Sequence, residues 1–301
     1  MARPSQLSAS AQLTLGMAMF GSATPISKIV TAAFPVFVAG LLRMGLGALV
    51  LAPALWRNRT QLSDITPRDW LLIGLISLAG MFGFTAFMLY GMRMVDGVTG
   101  AIVMSTTPAI TALAAILLLH EHATWRKLLA VGLAVAGVLL LQLGGSGDNQ
   151  GGANWLGAAL VFAAVCCEAA YTLLGRVVTQ RVEPVTVAAL AALIAIPIFA
   201  PFAFWQWSAF DWSAPDARTW LALLWYGVGT LAIGSWLWYA GVSKSSGATA
   251  AAFMGVMPAS ALVLSYVLLG EPFRWIHLAG FSIVFLGVLL ISWEHARMSH
   301  D

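Results

Sequence analysis

Apolar runs long enough to cross a bilayer follow one another along almost the whole chain, and they leave little choice of fold. Crossing a hydrocarbon core takes about 20 apolar residues wound as a helix. In lipid only helices and closed barrels satisfy their own backbone hydrogen bonds. The runs fall at residues 9–31, 35–56, 69–92, 97–119, 125–143, 154–177, 185–205, 219–242, 247–269 and 275–293. Of the 301 residues, 60% are hydrophobic and only 9% charged, too few charges to make a water-facing surface. The expected fold is an all-α membrane protein of ten transmembrane helices joined by short loops. The first run is a full span in length, longer than the apolar region of a cleavable signal, so that helix is expected to be retained.

One stretch interrupts the pattern, LGGSGDNQGGAN at residues 143–154, Gly-rich and polar with no apolar period. It separates five runs from five. The expected organisation is a first five-helix repeat over residues 1–143, a connector over 144–153 and a second repeat over 154–301.

The two halves match at a shift of 150 residues: Gly97 with Gly247, Thr99 with Thr249, Met104 with Met254, Pro108 with Pro258, Glu121 with Glu271 and Trp125 with Trp275. Trp70 with Trp220 and Gly137 with Gly287 keep the same offset. Because each half has an odd number of spans, the second copy enters the membrane from the opposite side. The repeats are therefore inverted, about a pseudo-twofold axis in the membrane plane. Such a chain has two nearly equivalent packings, one open to each side, which is the basis of alternating access.

Basic residues are scattered among the loops and form no patch for a nucleic acid. Their distribution sets orientation instead, since Lys and Arg concentrate on the cytoplasmic side. With the N-terminus inside, ten of them (Arg3, Arg57, Arg59, Arg68, Arg126, Lys127, Arg176, Arg181, Lys244 and Arg297) lie inside and four (Lys28, Arg93, Arg218 and Arg274) outside. Both termini are expected to be cytoplasmic.

The strings LLLHEHATWRKLLAVGLAVAGV and LLGEPFRWIHLAGFSIVFLGV resemble the ends of the two repeats of the EamA family, in the drug/metabolite transporter superfamily. The resemblance runs over nearly the whole chain, and the chain is most similar to bacterial amino-acid exporters of the YddG type. His120 departs from the pattern, standing where the second repeat has Gly270. The resemblance implies a multi-pass protein of the bacterial inner membrane that exports small metabolites such as amino acids, including aromatic or apolar ones. Drugs or other metabolites are the alternative cargo. An intramembrane enzyme acting on lipid is a reading from a different class, and a purely structural membrane protein is another.

Ionisable groups in a span are costly, so each is paired, faces a cavity or acts in function. Glu168, in CCEAAYTLL of the sixth run, has two readings: a structural carboxylate, or a contact for a substrate ammonium group or a coupling proton. Tyr171, three residues on, shares its face. Arg43 in the second run has Ala192 as its counterpart when Pro35 is aligned with Pro184, so the charge breaks the repeat symmetry. It is suited to binding a carboxylate bidentately, and pairing with Glu168 or snorkelling outward are the other readings. Pro108 and Pro258 each remove a helical hydrogen bond and point to a kink, for gating or for packing alone. Gly80, Gly83, Gly229 and Gly234 permit close helix contact as readily as bending. Phe84, Trp236 and Tyr239 are candidates for lining an apolar cavity, and Ser105 adds polarity before Pro108. The expected substrate site is Glu168, Tyr171, Arg43, Phe84, Trp236, Tyr239 and Ser105.

The HEH run at 120–122 places its His residues two apart, off a common helical face, so no metal site is expected. Cys166 and Cys167 are adjacent in an apolar run and read as packing residues. No phosphate-binding loop is present in the sequence, and no cofactor is expected.

Overall fold

The structure is a computed structural model that describes residues 4–119, 123–144, 154–242, 244 and 253–298. The matched Glu121, Gly247 and Thr249, and the HEH run, lie outside the described residues. Within them the chain is helical and has no strand. Its spanning segments are α1 (Pro4–Ala33), α2 (Val36–Arg57), α3 (Pro67–Met94), α4 (Gly97–Leu118), α5 (Trp125–Gly144), α6 (Trp155–Val178), α7 (Pro184–Trp207), α8 (Ala217–Gly241), α9 (Val256–Leu269) and α10 (Trp275–Met298). Eight helices among the described residues have the length and hydropathy of membrane spans, and Val256–Leu269 is a shorter apolar helix. The sequence-derived spans match these segments to within about five residues, except the ninth, expected over 247–269, whose helix runs Val256–Leu269 and whose residues 247–252 lie outside the described ones.

Helix starts follow from local chemistry. Thr66 caps α3, its hydroxyl accepting from the Asp69 N–H at 3.2 Å, and Pro67 supplies a first-turn residue with no N–H to satisfy. At the same repeat position Asp216 caps α8, its carboxylate accepting from the Thr219 N–H at 2.8 Å. The Thr219 hydroxyl and N–H hold the Asp216 carboxyl below the usual carboxylate range. Thr and Asp have exchanged places within the cap between the two copies.

The packing has the symmetry the duplication implies. Segment α1 packs against α8 and α9, while its repeat mate α6 packs against α3 and α4. The equivalent pairs α2 with α7, α5 with α10 and α4 with α9 each pack on one another, as a twofold axis requires. Close approach depends on glycine at α1 and α9, where a Cβ on Gly21 would sit 2.0 Å from Ser260 Oγ and 2.3 Å from the Met257 carbonyl oxygen. That carbonyl is backbone and cannot swing aside. Gly21→Ala is therefore expected to destabilise the protein by about 1–3 kcal/mol through overpacking, read as a lower thermal unfolding midpoint in detergent.

At one end of the bundle α4 and α9 are clasped. The Glu271 carboxylate accepts from the Gly97 N–H at 2.5 Å and the Val98 N–H at 2.8 Å, satisfying two of the orphan donors at the start of α4. Nearby, Lys28 of α1 donates to the carbonyls of Met92 and Val95 at 2.8 and 2.5 Å, and Arg93 of α3 donates to that of Phe34 at 2.8 Å. The cations of α1 and α3 thus cap each other's chain ends. Glu271→Ala leaves two N–H donors without their acceptor and is expected to cost about 1–3 kcal/mol. Thermal unfolding should show Glu271→Gln, which keeps a carbonyl oxygen, recovering part of the loss.

Two stretches of π winding were not foreseen from the sequence, whereas the breaks before the two prolines were expected as kinks. Segment α3 is π-helical over Ser77–Gly83 and α8 over Trp225–Ile233, and the two wide turns end at the same repeat position, Gly83 and Ile233. In the fourth span the helix breaks at Ser105 and Thr106, before Pro108, and residues 254–255 interrupt the ninth before Pro258. Pro108 lacks an N–H and crowds the carbonyl four residues back. The hydroxyls of Ser105, Thr106 and Thr107 take the carbonyls of Ile102, Val103 and Met104 at 2.6, 2.7 and 2.7 Å, which satisfies the broken turn.

Candidate functional site

The breaks and wide turns bring a small set of polar side chains together inside the bundle. Glu168, on α6, is half-buried, and its carboxylate oxygen lies 3.0 Å from the Thr107 hydroxyl of the fourth span. That hydroxyl also lies 2.7 Å from the Met104 carbonyl, so its one hydrogen serves two acceptors. Glu168 is fully served only when Thr107 turns to it, or when Glu168 carries a proton of its own and donates. A carboxylate offers about four acceptor sites. Among the described residues no Lys or Arg hydrogen-bonds to Glu168, so capacity remains for a cationic group.

Arg43, on α2, is 6% exposed. One guanidinium nitrogen donates to the Thr85 hydroxyl of α3 at 2.6 Å. The group lies 4.0 Å from the centroid of the Tyr226 ring and 5.7 Å from that of Phe84, so its charge is offset by two ring faces rather than by a carboxylate. Such contacts contribute about 2 kcal/mol when desolvated. The Arg43 Nε and the Tyr226 hydroxyl are both buried without a hydrogen-bond partner among the described residues. Arg43 and Glu168 are near enough for their charges to interact, and Tyr171 falls within reach of both. Tyr171 meets Tyr239 of α8, the hydroxyl oxygens 3.4 Å apart.

The two π-helical segments hold this cluster in place. A Cβ on Gly80 would lie 2.5 Å from the Tyr171 ring, and one on Gly227 would lie 3.0 Å from the Arg43 carbonyl oxygen. Thr85 and Phe84 follow the first wide turn directly, and Tyr226 lies within the second. A π turn inside an α-helix re-aims the residues beyond it and is frequent at functional sites. Here it directs Thr85 at the guanidinium.

Of the residues singled out in the sequence, the structure brings Glu168, Tyr171, Tyr239, Arg43 and Phe84 together. Gly80 abuts Tyr171, and a Cβ on Gly83 would lie 3.0 Å from Cys167 Sγ. Trp236 is 55% exposed, outside the hydrogen-bonded cluster. Ser105 is fully buried and donates to its own helix, while its neighbour Thr107 reaches Glu168. Gly229 lies against the Trp225 ring and Gly234 against Phe20 and Met19. Pro108 and Pro258 are buried beside the two breaks. Thr85, Thr107 and Tyr226 were missed as site residues. Their signal was a polar group within an apolar run, which only their facing Arg43 or Glu168 makes specific.

Ten helical segments among the described residues, in two inverted halves with a broken span in each and opposite charges between them that form no salt bridge among those residues, define a multi-pass membrane protein of transporter architecture. The chain belongs to the EamA-like transporter family, whose model matches residues 8–143 and again 155–293. It is 31% identical over 286 residues to the uncharacterized transporter YetK of Bacillus subtilis, covering 95% of this chain and 87% of that one. A probable terminal-alkyne amino-acid exporter of Streptantibioticus cattleyicolor is 24% identical, over 93% of this chain and 92% of that one. A crystal structure superposes with a TM-score of 0.65 at 16% identity, covering 97% of this chain and 99% of that chain, a likeness of fold.

Proposed function

We propose that the protein is a secondary transporter that exports small metabolites, foremost amino acids with aromatic or apolar side chains, across the bacterial inner membrane. The observation that carries this reading is the pair of opposite charges, Glu168 and Arg43, each held by a neutral hydroxyl rather than by the other. A zwitterion fits that arrangement, with its ammonium on Glu168, its carboxylate on Arg43 and its side chain among Phe84, Tyr171 and Tyr239. The name of the Streptantibioticus relative is in keeping with an amino-acid cargo. No chemistry on the cargo is called for.

Movement follows from the repeats. The two halves rock about the site, with the breaks before Pro108 and Pro258 and the wide turns at Gly80, Gly83, Gly229 and Gly234 as hinges. Both termini face the cytoplasm in this reading, by the excess of basic residues there. Protons are the coupling ion. A protonated Glu168 satisfies Thr107 without a substrate, so proton and ammonium compete for one carboxylate.

Expression in a bacterial host tests the cargo. Excretion of amino acids into the medium, together with resistance to a toxic analogue such as p-fluorophenylalanine, is the expected result. Resistance to cationic drugs with amino-acid excretion unchanged favours a drug exporter, which the carboxylate of Glu168 would also serve.

A further inference from the structure

On the flank away from the charged cluster, α5 and α10 pack together and leave an apolar groove of about 480 Å³ lined by Leu133, Leu286, Leu289, Leu290 and Trp293. Leu286, Leu289 and Trp293 stand 55%, 48% and 49% exposed, so the groove opens to the outside of the bundle. In a membrane that outside is lipid.

A cation stands at one end of the groove. The guanidinium of Arg126 lies 5.1 Å from the centroid of the Trp293 ring, which itself lines the groove, and 5.3 Å from that of Trp125. Its Nε is buried with no hydrogen-bond partner. No carboxylate among the described residues pairs with it. Two indole rings flank this guanidinium, and no acceptor for it stands among the described side chains. Guanidinium edges recognise phosphate oxygens, often through two parallel hydrogen bonds.

The duplication sharpens the point. At the shift of 150 residues Trp125 matches Trp275, but Arg126 matches Ile276, and Trp293 matches Leu143. The α5 and α10 pair thus carries Arg126 beside two indole rings at one end, where the matched positions at the other are Ile276 and Leu143.

We propose that the α5 and α10 groove is a binding site for an anionic phospholipid, one acyl chain lying along the leucines and the headgroup phosphate accepting from Arg126. Trp125 and Trp293 place the headgroup at the membrane interface, where tryptophan concentrates. Basic pockets between transmembrane helices bind such headgroups in general. The site is separate from Glu168 and Arg43, and it does not depend on what the protein carries.

Native mass spectrometry of the full-length protein, with phosphatidylglycerol and phosphatidylcholine of identical chains, tests the assignment. The wild type should retain phosphatidylglycerol about fivefold better: both lipids carry the phosphate, but the quaternary ammonium of phosphatidylcholine cancels its charge and is repelled by Arg126. Arg126→Gln should bring the two lipids level, and Arg126→Lys should restore part of the preference. Leu286→Trp, which fills the groove, should reduce retention of both lipids together. Inorganic phosphate alone should not displace the bound lipid. A preference for phosphatidylglycerol undiminished in Arg126→Gln overturns the headgroup assignment. Retention unaffected by Leu286→Trp, or displacement by phosphate alone, overturns the place of the acyl chain. Thermal midpoints of all the variants with no added lipid separate loss of the site from loss of the fold.

Discussion

Glu168→Gln is expected to lower substrate flux by about ten- to a hundredfold, the consequence of losing a charge-assisted hydrogen bond of about 1.5–3 kcal/mol. Glutamine keeps a carbonyl oxygen at the Thr107 hydroxyl, which lies 3.0 Å from the carboxylate, so the contact between α6 and the fourth span survives. The variant also removes an ionisable group from the interior of the bundle, which by itself favours the fold. Stability held while flux falls is thus the signature of a substrate contact. A structural carboxylate gives the opposite, a lower thermal midpoint with flux falling only as far as folded protein is lost. Proton coupling adds a second readout: wild-type flux should respond to a pH gradient, and flux in the glutamine variant should not. Unchanged flux removes Glu168 from the mechanism.

Arg43→Met is the second large effect. The guanidinium has a hydroxyl and two aromatic faces for neighbours and, among the described residues, no carboxylate within hydrogen-bonding distance and no partner for Nε. An apolar chain of similar length relieves that desolvated charge, and replacements of this kind are often neutral or stabilising by about 1–4 kcal/mol. The thermal midpoint should hold or rise, while flux of a carboxylate-bearing substrate falls by about tenfold or more. Thr85→Val provides the contrast. It keeps the charge and removes its one hydrogen-bond acceptor, costing about 1.5–3 kcal/mol of stability, and Thr85→Ser should restore it. If Arg43→Met is the less stable variant and flux follows folded protein, Arg43 is a packing residue.

Much of the fold was legible because the bilayer makes apolar length informative: each run of about 20 residues has one structural solution. The inversion followed from parity, five spans to a half, and needed no side chain. What the sequence could not show is where a helix changes its winding. Ser77–Gly83 and Trp225–Ile233 are as apolar as an ordinary span, and π winding depends on what the neighbouring helices press against them. Pro108 and Pro258 did announce the breaks, although these fall a few residues earlier, where Ser105, Thr106 and Thr107 bond back to the freed carbonyls. Glu168 and Arg43 were visible as charges out of place. Their partners were not, since Thr85, Thr107 and Tyr226 resemble any other polar residue of a span until the helices are packed. Trp236 shows the converse, because an aromatic near the site in sequence can still face outward.

In the proposed mechanism, opposed charges between two inverted repeats move a small zwitterion across the membrane. Counterflow in liposomes tests it most directly: purified protein, vesicles preloaded with unlabelled amino acid, and labelled L-phenylalanine among a panel of amino acids outside. Accumulation of label well above that in empty vesicles, strongest for aromatic and apolar amino acids and lost in Glu168→Gln, is the expected result. Label no higher than in empty vesicles for every member of the panel would contradict it.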